Sequence, residues 1–158
     1  EILKQMDGVE SAQSNASVIV MAASNCPWDL DDAFRRRLEK RIYVPLPDTE
    51  SRALMLSKNL KMVPVEAHLP YDILADKLDG FSGADVRIVC REAAMMPLRR
   101  LLRHRTPVEI QHMRARNELE VPKVLISDLY AAQLNTRPSV SKADLERFVA
   151  WNQEFGSN

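Results

Sequence analysis

Apolar residues fall in two different rhythms along this chain. Up to Pro47 they come in short continuous runs; beyond it they recur every three or four positions. Val18-Ile19-Val20-Met21-Ala22 is such a run with β-branched members, and it predicts a strand covered on both faces. A short helix, Ala33 to Leu38, is expected after a polar turn, with Asp31-Asp32 before it and Arg35, Arg36 and Arg37 at its C-terminal end. Each charge suits the helix dipole at that end. Ile42-Tyr43-Val44 then predicts a second strand, closed by Pro45 and Pro47.

The helical part begins with Asp48 as cap of a helix to about Leu60, with Ala53, Leu56 and Leu60 on its apolar face. Pro64 and Pro70 bracket a loop. Tyr71 to Leu78 predicts a short helix with Ile73, Leu74 and Leu78 inward. Ser82 caps a long helix in which Val86, Val89, Cys90, Ala93, Pro97 and Leu101 share a side, and Pro97 is expected to kink or split it near Ala93. Thr106-Pro107-Val108-Glu109 has the form of a capping box and opens a polar helix to about Glu118. Residues 119 to 126 read as extended, Ser127 as cap of a helix to about Asn135, and Ser141 to Asp144 as the start of a last amphipathic helix. Its shared face is Leu145, Phe148, Val149, Asn152 and Phe155, and Trp151 reads as core packing. At the other end, Glu1 to Met6 reads as the tail of a helix stopped by Asp7-Gly8, followed by a polar surface loop over residues 10 to 17.

Composition narrows the function classes. The 158 residues carry no formal net charge, so no overall field draws the chain to nucleic acid or a lipid surface. Cys26 and Cys90 have neither metal-type nor redox spacing, and a reducing compartment is the simpler reading. No apolar run approaches the length of a membrane span. The basic cluster Arg99, Arg100, Arg103, His104 and Arg105 lacks the interleaved aromatics of a single-strand nucleic-acid site, and complements a helix end.

Three stretches carry candidate chemistry. Asn25 stands where the first strand runs out, a place where an amide can orient a ligand or a water; it could equally be a turn residue before Pro27. Arg35-Arg36-Arg37 cannot all be paired locally, though a solvated basic helix end would have the same sequence. In Gly80-Phe81-Ser82-Gly83-Ala84-Asp85, Gly83 and Ala84 leave the first helical turn without bulk, so a ligand can approach closely; an ordinary capped helix would read the same way.

Together these stretches resemble a known family. Asn25-Cys26-Pro27-Trp28-Asp29-Leu30, with Arg35-Arg36-Arg37-Leu38-Glu39-Lys40-Arg41 up to Pro47, is similar to the second region of homology of AAA ATPases. The similarity is greatest to the group containing katanin, spastin, fidgetin and the vacuolar-sorting ATPase, and the Pro27-Trp28 pair and Leu38 look most katanin-like. Gly80 to Asp85 resembles the family's GxSGAD motif, and Gln5 to Val9 and Glu154 to Ser157 also resemble it. The resemblance implies an α/β class: residues 1–47 as the last strands of a P-loop ATPase large subdomain, and residues 48–158 as a small helical lid with a C-terminal helix that contributes to subunit contacts. It implies Asn25 as the sensor that positions the attacking water, and Arg36 and Arg37 as arginine fingers for the γ-phosphate held by the neighbouring subunit. Gly83, Ala84 and Asn59 would lie near the base and ribose. ATP and Mg²⁺ are the implied ligands, and the implied partners are further copies in a homo-hexamer, tubulin or microtubules, and a katanin regulatory subunit. The implied location is cytoplasmic, on the microtubule cytoskeleton at spindle or centrosome.

The sequence also limits what the chain does alone. Gly8, Gly80, Gly83 and Gly156 are its only glycines, and none lies in a phosphate-cradling Walker A pattern. The Walker B carboxylates and the magnesium ligands are expected upstream of Glu1. The three histidines form no HExxH, so no metal site is expected here and the isolated chain is expected to be inactive. Two other classes stay open: an ATPase remodelling another polymer, such as membrane-associated filaments, and a non-catalytic interaction module.

Overall fold

The computed structural model describes residues 19–116 and 120–157. A 3₁₀ turn, Pro27–Asp29, is followed by α1 (Asp32–Arg37), α2 (Thr49–Leu60), α3 (Tyr71–Asp76), α4 (Gly83–Leu102), α5 (Pro107–Ala115), α6 (Ile126–Asn135) and α7 (Lys142–Phe155). The chain divides into two compact units, Glu1–Val44 with Lys142–Asn158, and Pro45–Ser141. The helix and loop expected over residues 1–17 lie outside the described residues.

Among the described residues of the first unit the expected strands form no ladder. Val18 is outside the described residues, and Ile19 and Met21 are 85% and 91% exposed rather than covered on both faces. A strand exists only through the neighbours that take its backbone groups, and none pairs with this run among the described residues. Ile42 and Val44 are likewise exposed, while Tyr43 between them turns inward and stacks on Phe148 at 6.1 Å between centroids. That alternation is the period of extended chain.

α1 starts where Asp31 accepts a 2.7 Å hydrogen bond from the Ala33 amide. α7 lays Leu145, Phe148, Asn152 and Phe155 on a half-buried face, whereas Val149 is exposed. Val149 follows Phe148 by 100° around the helix, which carries it off the stripe. Trp28 packs on Phe148 at 4.9 Å, with the Arg147 guanidinium 3.7 Å over its ring. Trp151 contacts Phe155 at 5.4 Å, which agrees with a packing role.

The second unit is helical around one core. Leu56 and Leu60 of α2, Leu74 and Ala75 of α3, Val86, Val89, Cys90 and Ala93 of α4, and Leu129 and Ala132 of α6 meet there, with Leu78, Phe81 and Val124 from the connections. Each large member contributes roughly 1.5–3 kcal/mol by leaving water. The Asp48 carboxylate caps α2 by accepting from the Ser51 amide, as expected. α3 ends at Asp76, and Ile73, expected inward, is 55% exposed: one helical turn places Leu74 and Ala75 on the core and leaves their neighbour outside. Gly80, at φ +78°, makes the turn that delivers Phe81 and the start of α4.

Pro97 does not split α4, which is one helix through Leu102. The lost hydrogen bond is a single one to the Ala93 carbonyl, and the proline ring is fully buried, so packing offsets it. α6 starts at Ile126 rather than after Ser127. Its first amides are taken instead by carboxylates, Leu125 N donating to Asp128 at 2.9 Å and Ile126 N to Glu66 at 2.5 Å. The one sheet-like pairing among the described residues is a parallel bridge between Val65 and Val124, in which Val124 N donates to Pro64 O and Glu66 N donates to Val124 O. The capping box at Thr106 and Glu109 forms as expected, and α5 runs to Ala115.

Candidate functional site

The predicted residues fall into two groups, one in each unit. In the first unit, Asn25 sits at an exposed bend after the extended run, and the following amide, Cys26 N, donates to Ser24 Oγ at 3.0 Å. The Pro27–Asp29 turn then directs the chain into α1.

The three arginines of α1 have different environments. Arg35 is half-buried; it pairs with Asp32 one turn earlier and its guanidinium lies 5.2 Å over the Phe155 ring. Arg37 donates back to the Ala33 carbonyl at 3.1 Å. Arg36 is exposed and, among the described residues, has no hydrogen bond or ion pair of its own. Asp32, Arg35, Arg36, Arg41 and Phe155 line an open cavity of ≈ 320 Å³. A cluster of guanidiniums beside an aromatic ring, with one cation unpaired, is suited to an anion presented from outside.

In the second unit, Ser82 and Asp85 form a reciprocal capping box at the start of α4. Asp85 is 2% exposed, and one of its oxygens accepts from the amide and hydroxyl of Ser82 and from the amide and hydroxyl of Ser139, at 2.8 to 3.1 Å. Burial pushes this carboxyl up, but the four hydrogen bonds outweigh burial and hold it below the usual carboxylate range. Gly83 sits over Met55: a Cβ there would meet its Sδ and Cε at 3.6 Å. Asn59 is one turn along α2 and donates to the Met55 carbonyl at 2.8 Å. The structure therefore brings Gly83 and Asn59 to the same residue, while Ala84 is exposed on the first turn of α4. Beyond them, Asn59, Val63, Arg87, Cys90, Arg91 and Ala94 line a cavity of ≈ 260 Å³.

Two arrangements at these sites had no clear sequence signal. The hydroxyl that completes the Asp85 box comes from Ser139, far along the chain, and Arg41 ties α1 to the chain's C-terminal residues. Among the described residues no three His, Cys, Asp or Glu side chains converge as metal ligands.

Comparison with known proteins identifies the family. Family models match three stretches, the last two overlapping: the ATPase family associated with various cellular activities (AAA) over residues 1–46, the AAA+ lid domain over 69–114, and the Vps4 C terminal oligomerisation domain over 106–156. The chain is 46% identical to the A-like 1 form of the katanin p60 ATPase-containing subunit of Danio rerio, over 99% of this chain and 33% of the relative. It is also 46% identical to the A1 form of the same subunit of Strongylocentrotus purpuratus, over 99% and 31%. The chain belongs to the AAA ATPase family.

Within that family it is katanin-like, corresponding to the C-terminal part of the ATPase module, and it spans about a third of the length of these curated relatives. The backbone agrees. The crystal structure of the FIGL-1 AAA domain in complex with ADP matches with a TM-score of 0.84 at 32% identity, over 99% of this chain and 51% of that one. A structure reported for katanin self-assembly matches with a TM-score of 0.78 at 37% identity, over 96% and 50%. The katanin-like chain thus has the fold relationship expected of an AAA ATPase, and its described residues are mostly helical, with no strand among them.

Proposed function

We propose that this chain is the nucleotide-responding C-terminal part of a katanin-type, microtubule-severing ATPase. Residues 1–47 form the end of the large α/β subdomain, where Ile19 to Ala22 and Ile42 to Val44 pair with strands of the complete protein. Residues 48–158 form the lid with its C-terminal helix. The complete protein hydrolyses ATP as a hexameric ring on the microtubule cytoskeleton and acts on tubulin, and a regulatory subunit is a further partner.

The observation that carries this reading is Arg36, exposed and unpartnered among the described residues, on a capped helix whose neighbouring arginines are both engaged. An arginine held ready in this way stabilises charge on a transferring phosphoryl group by about 10³–10⁵ in rate. Supplied by the next subunit, with Arg37 beside it, that gain exists only in the assembled ring. Asn25 positions the attacking water, and Gly83, Ala84 and Asn59 receive the adenosine part of ATP. Magnesium, which neutralises phosphate charge during transfer, is held by carboxylates outside this chain. The ADP bound in the FIGL-1 relative supports a nucleotide at this fold, and the match to an oligomerisation domain supports the ring.

The test is a mixing experiment with the complete protein. Arg36→Ala or Arg37→Ala leaves ATP binding intact and removes hydrolysis, and adding subunits dead at the Walker B carboxylate restores part of the turnover, because an intact site then faces an intact finger. Absence of recovery at every mixing ratio rejects action in trans. The isolated chain shows no magnesium-dependent ATP turnover; a clear rate would reject the division of the site. Severing of stabilised microtubules by the complete protein, and its loss when acidic tubulin tails are removed, tests the substrate.

A further inference from the structure

Among the described residues the Arg36 side chain has no hydrogen bond or ion pair to hold it, so its position depends chiefly on the backbone of α1. A six-residue helix is too short to persist unaided. What anchors its C-terminal end is Arg41, whose guanidinium acts as a fork: one nitrogen donates to the Arg35 carbonyl at 2.5 Å and the other to the Phe155 carbonyl at 3.1 Å. Both carbonyls lie in the last turn of a helix, α1 and α7, where they lack an intrahelical donor and where the dipole favours a cation.

The chain's end closes around this fork. The Arg41 amide donates to Ser157 Oγ at 3.1 Å, the Ser157 amide donates to the Arg41 carbonyl at 2.9 Å, and the Ser157 hydroxyl donates to the Glu39 carbonyl at 3.3 Å. The Phe155 ring lies under the Arg35 guanidinium. Between them Gly156 has no room for a side chain: a Cβ would lie 2.2 Å from Asn152 Oδ1 and 2.4 Å from the Asn152 carbonyl oxygen. The segment Phe155-Gly156-Ser157 is therefore fixed to the arginine triplet at Arg35, before Arg36, and at Glu39 and Arg41, after it.

We propose that Arg41 and Ser157 are positioning residues for Arg36: the C-terminal tail sets the direction in which each subunit offers its arginine to the neighbour. This rests on the reading of Arg36 as a finger acting in trans. The tail then acts on hydrolysis in the next subunit, not on nucleotide binding in its own.

The experiment uses the complete protein with Arg41→Lys, which keeps the charge and loses the fork, and Gly156→Ala, which displaces Ser157. Both variants are expected to bind ATP and assemble as the parent does, with kcat lower by about 10–100-fold, the loss typical of a small misplacement of a reacting group, and KM not raised. Ser157→Ala, which removes the hydroxyl, lowers kcat in the same way, whereas Ser157→Thr, which keeps it, holds turnover at about the parent level. Mixed with Walker-B-dead subunits carrying an intact tail, the Arg41→Lys and Gly156→Ala subunits recover turnover as Arg36→Ala subunits do. The proposal is overturned if kcat stays near the parent value, if assembly is lost in step with activity, or if Arg36→Ala recovers on mixing and the tail variants do not. If Arg36→Ala alone leaves hydrolysis unchanged, the finger reading fails and takes this proposal with it.

Discussion

Asp85 and Ser139 are 54 positions apart, yet the hydroxyl of Ser139 donates to the Asp85 carboxylate at 3.0 Å and its amide at 3.1 Å. The first turn of α4, where Gly83 and Ala84 lie, is thereby tied to the segment leading into α7. Asp85 accepts from that segment and caps its own helix with the same oxygen.

Loss of this carboxylate leaves the donors of half-buried Ser82 and exposed Ser139 without their shared acceptor. Asp85→Ala is expected to destabilise the protein by about 2–4 kcal/mol, and Ser139→Ala by roughly 1 kcal/mol, measured from urea midpoints. Because the folded-state pKa lies below the usual value, the contribution is fully present above about pH 4 and is lost as pH falls through the folded value. The gap between the parent and Asp85→Ala should therefore narrow in acid; a gap constant from about pH 7 to about pH 3 rejects this account.

Arg52 is 4% exposed and its guanidinium donates to the Ala75 carbonyl, the Pro47 carbonyl and Thr49 Oγ1, at 2.8 to 3.0 Å. An ammonium on a linear stem cannot reach three acceptors in that plane. Arg52→Lys is expected to cost on the order of 2–4 kcal/mol, read as a fall in thermal midpoint of roughly 5–15 °C. A midpoint within about 2 °C of the parent would show that the fork geometry is dispensable.

The pair between Arg100 and Asp128 is bidentate, 2.9 and 3.3 Å, but unequal. Asp128 is buried and also takes the Leu125 amide at the start of α6, whereas the Arg100 side chain is 45% exposed. Removing the acid should cost about 2–3 kcal/mol and removing the base about 1 kcal/mol or less. A double-mutant cycle measures the coupling, and equal single losses would contradict the asymmetry.

Burial pushes the Cys90 thiol up to about 11, so in the folded protein it stays protonated where an exposed thiol would ionise. Its contribution to stability is fully present below the ordinary value of 9.0 and is lost as pH rises towards 11. Urea midpoints should therefore fall between pH 9 and 11 less steeply for Cys90→Ala than for the parent, and Cys26, which is exposed, should react with a thiol reagent long before Cys90 does.

Much of the helical unit was legible because local chemistry specifies it. The caps at Asp48, Ser82 and Thr106 each lie where Ser, Thr or Asp precedes a periodic run, and the burial of Leu56, Leu60, Val86 and Val89 follows from spacing. Ile73 and Val149 were misplaced because a stripe one helical turn wide has edges that spacing alone does not locate. Long-range polar contacts left no such trace: Arg52 reads as one more basic residue on an exposed helix, and nothing around Arg41 marks it as a fork. Asn25, Arg36 and Arg37 are expected as site residues through family resemblance and not through periodicity, since an arginine offered to a ligand and a solvated helix end have the same local sequence. The strands expected at 18–22 and 42–44 are not seen as strands among the described residues: an apolar run shows where a strand could lie, but a strand exists only through neighbours that pair with it.

The bridge between Val65 and Val124 orders events during synthesis. The Pro64 carbonyl and the Glu66 amide emerge from the ribosome well before Val124, their partner in the fold, and Leu129 and Ala132 complete the core still later. Helices α2, α3 and α4 can pack on one another as they appear, but the side of their core that Val124, Leu129 and Ala132 cover stays open until the chain has grown that far. A ribosome paused between Arg103 and Lys123 would hold a chain with Leu56, Leu60 and Val89 still open to whatever chaperone is at hand.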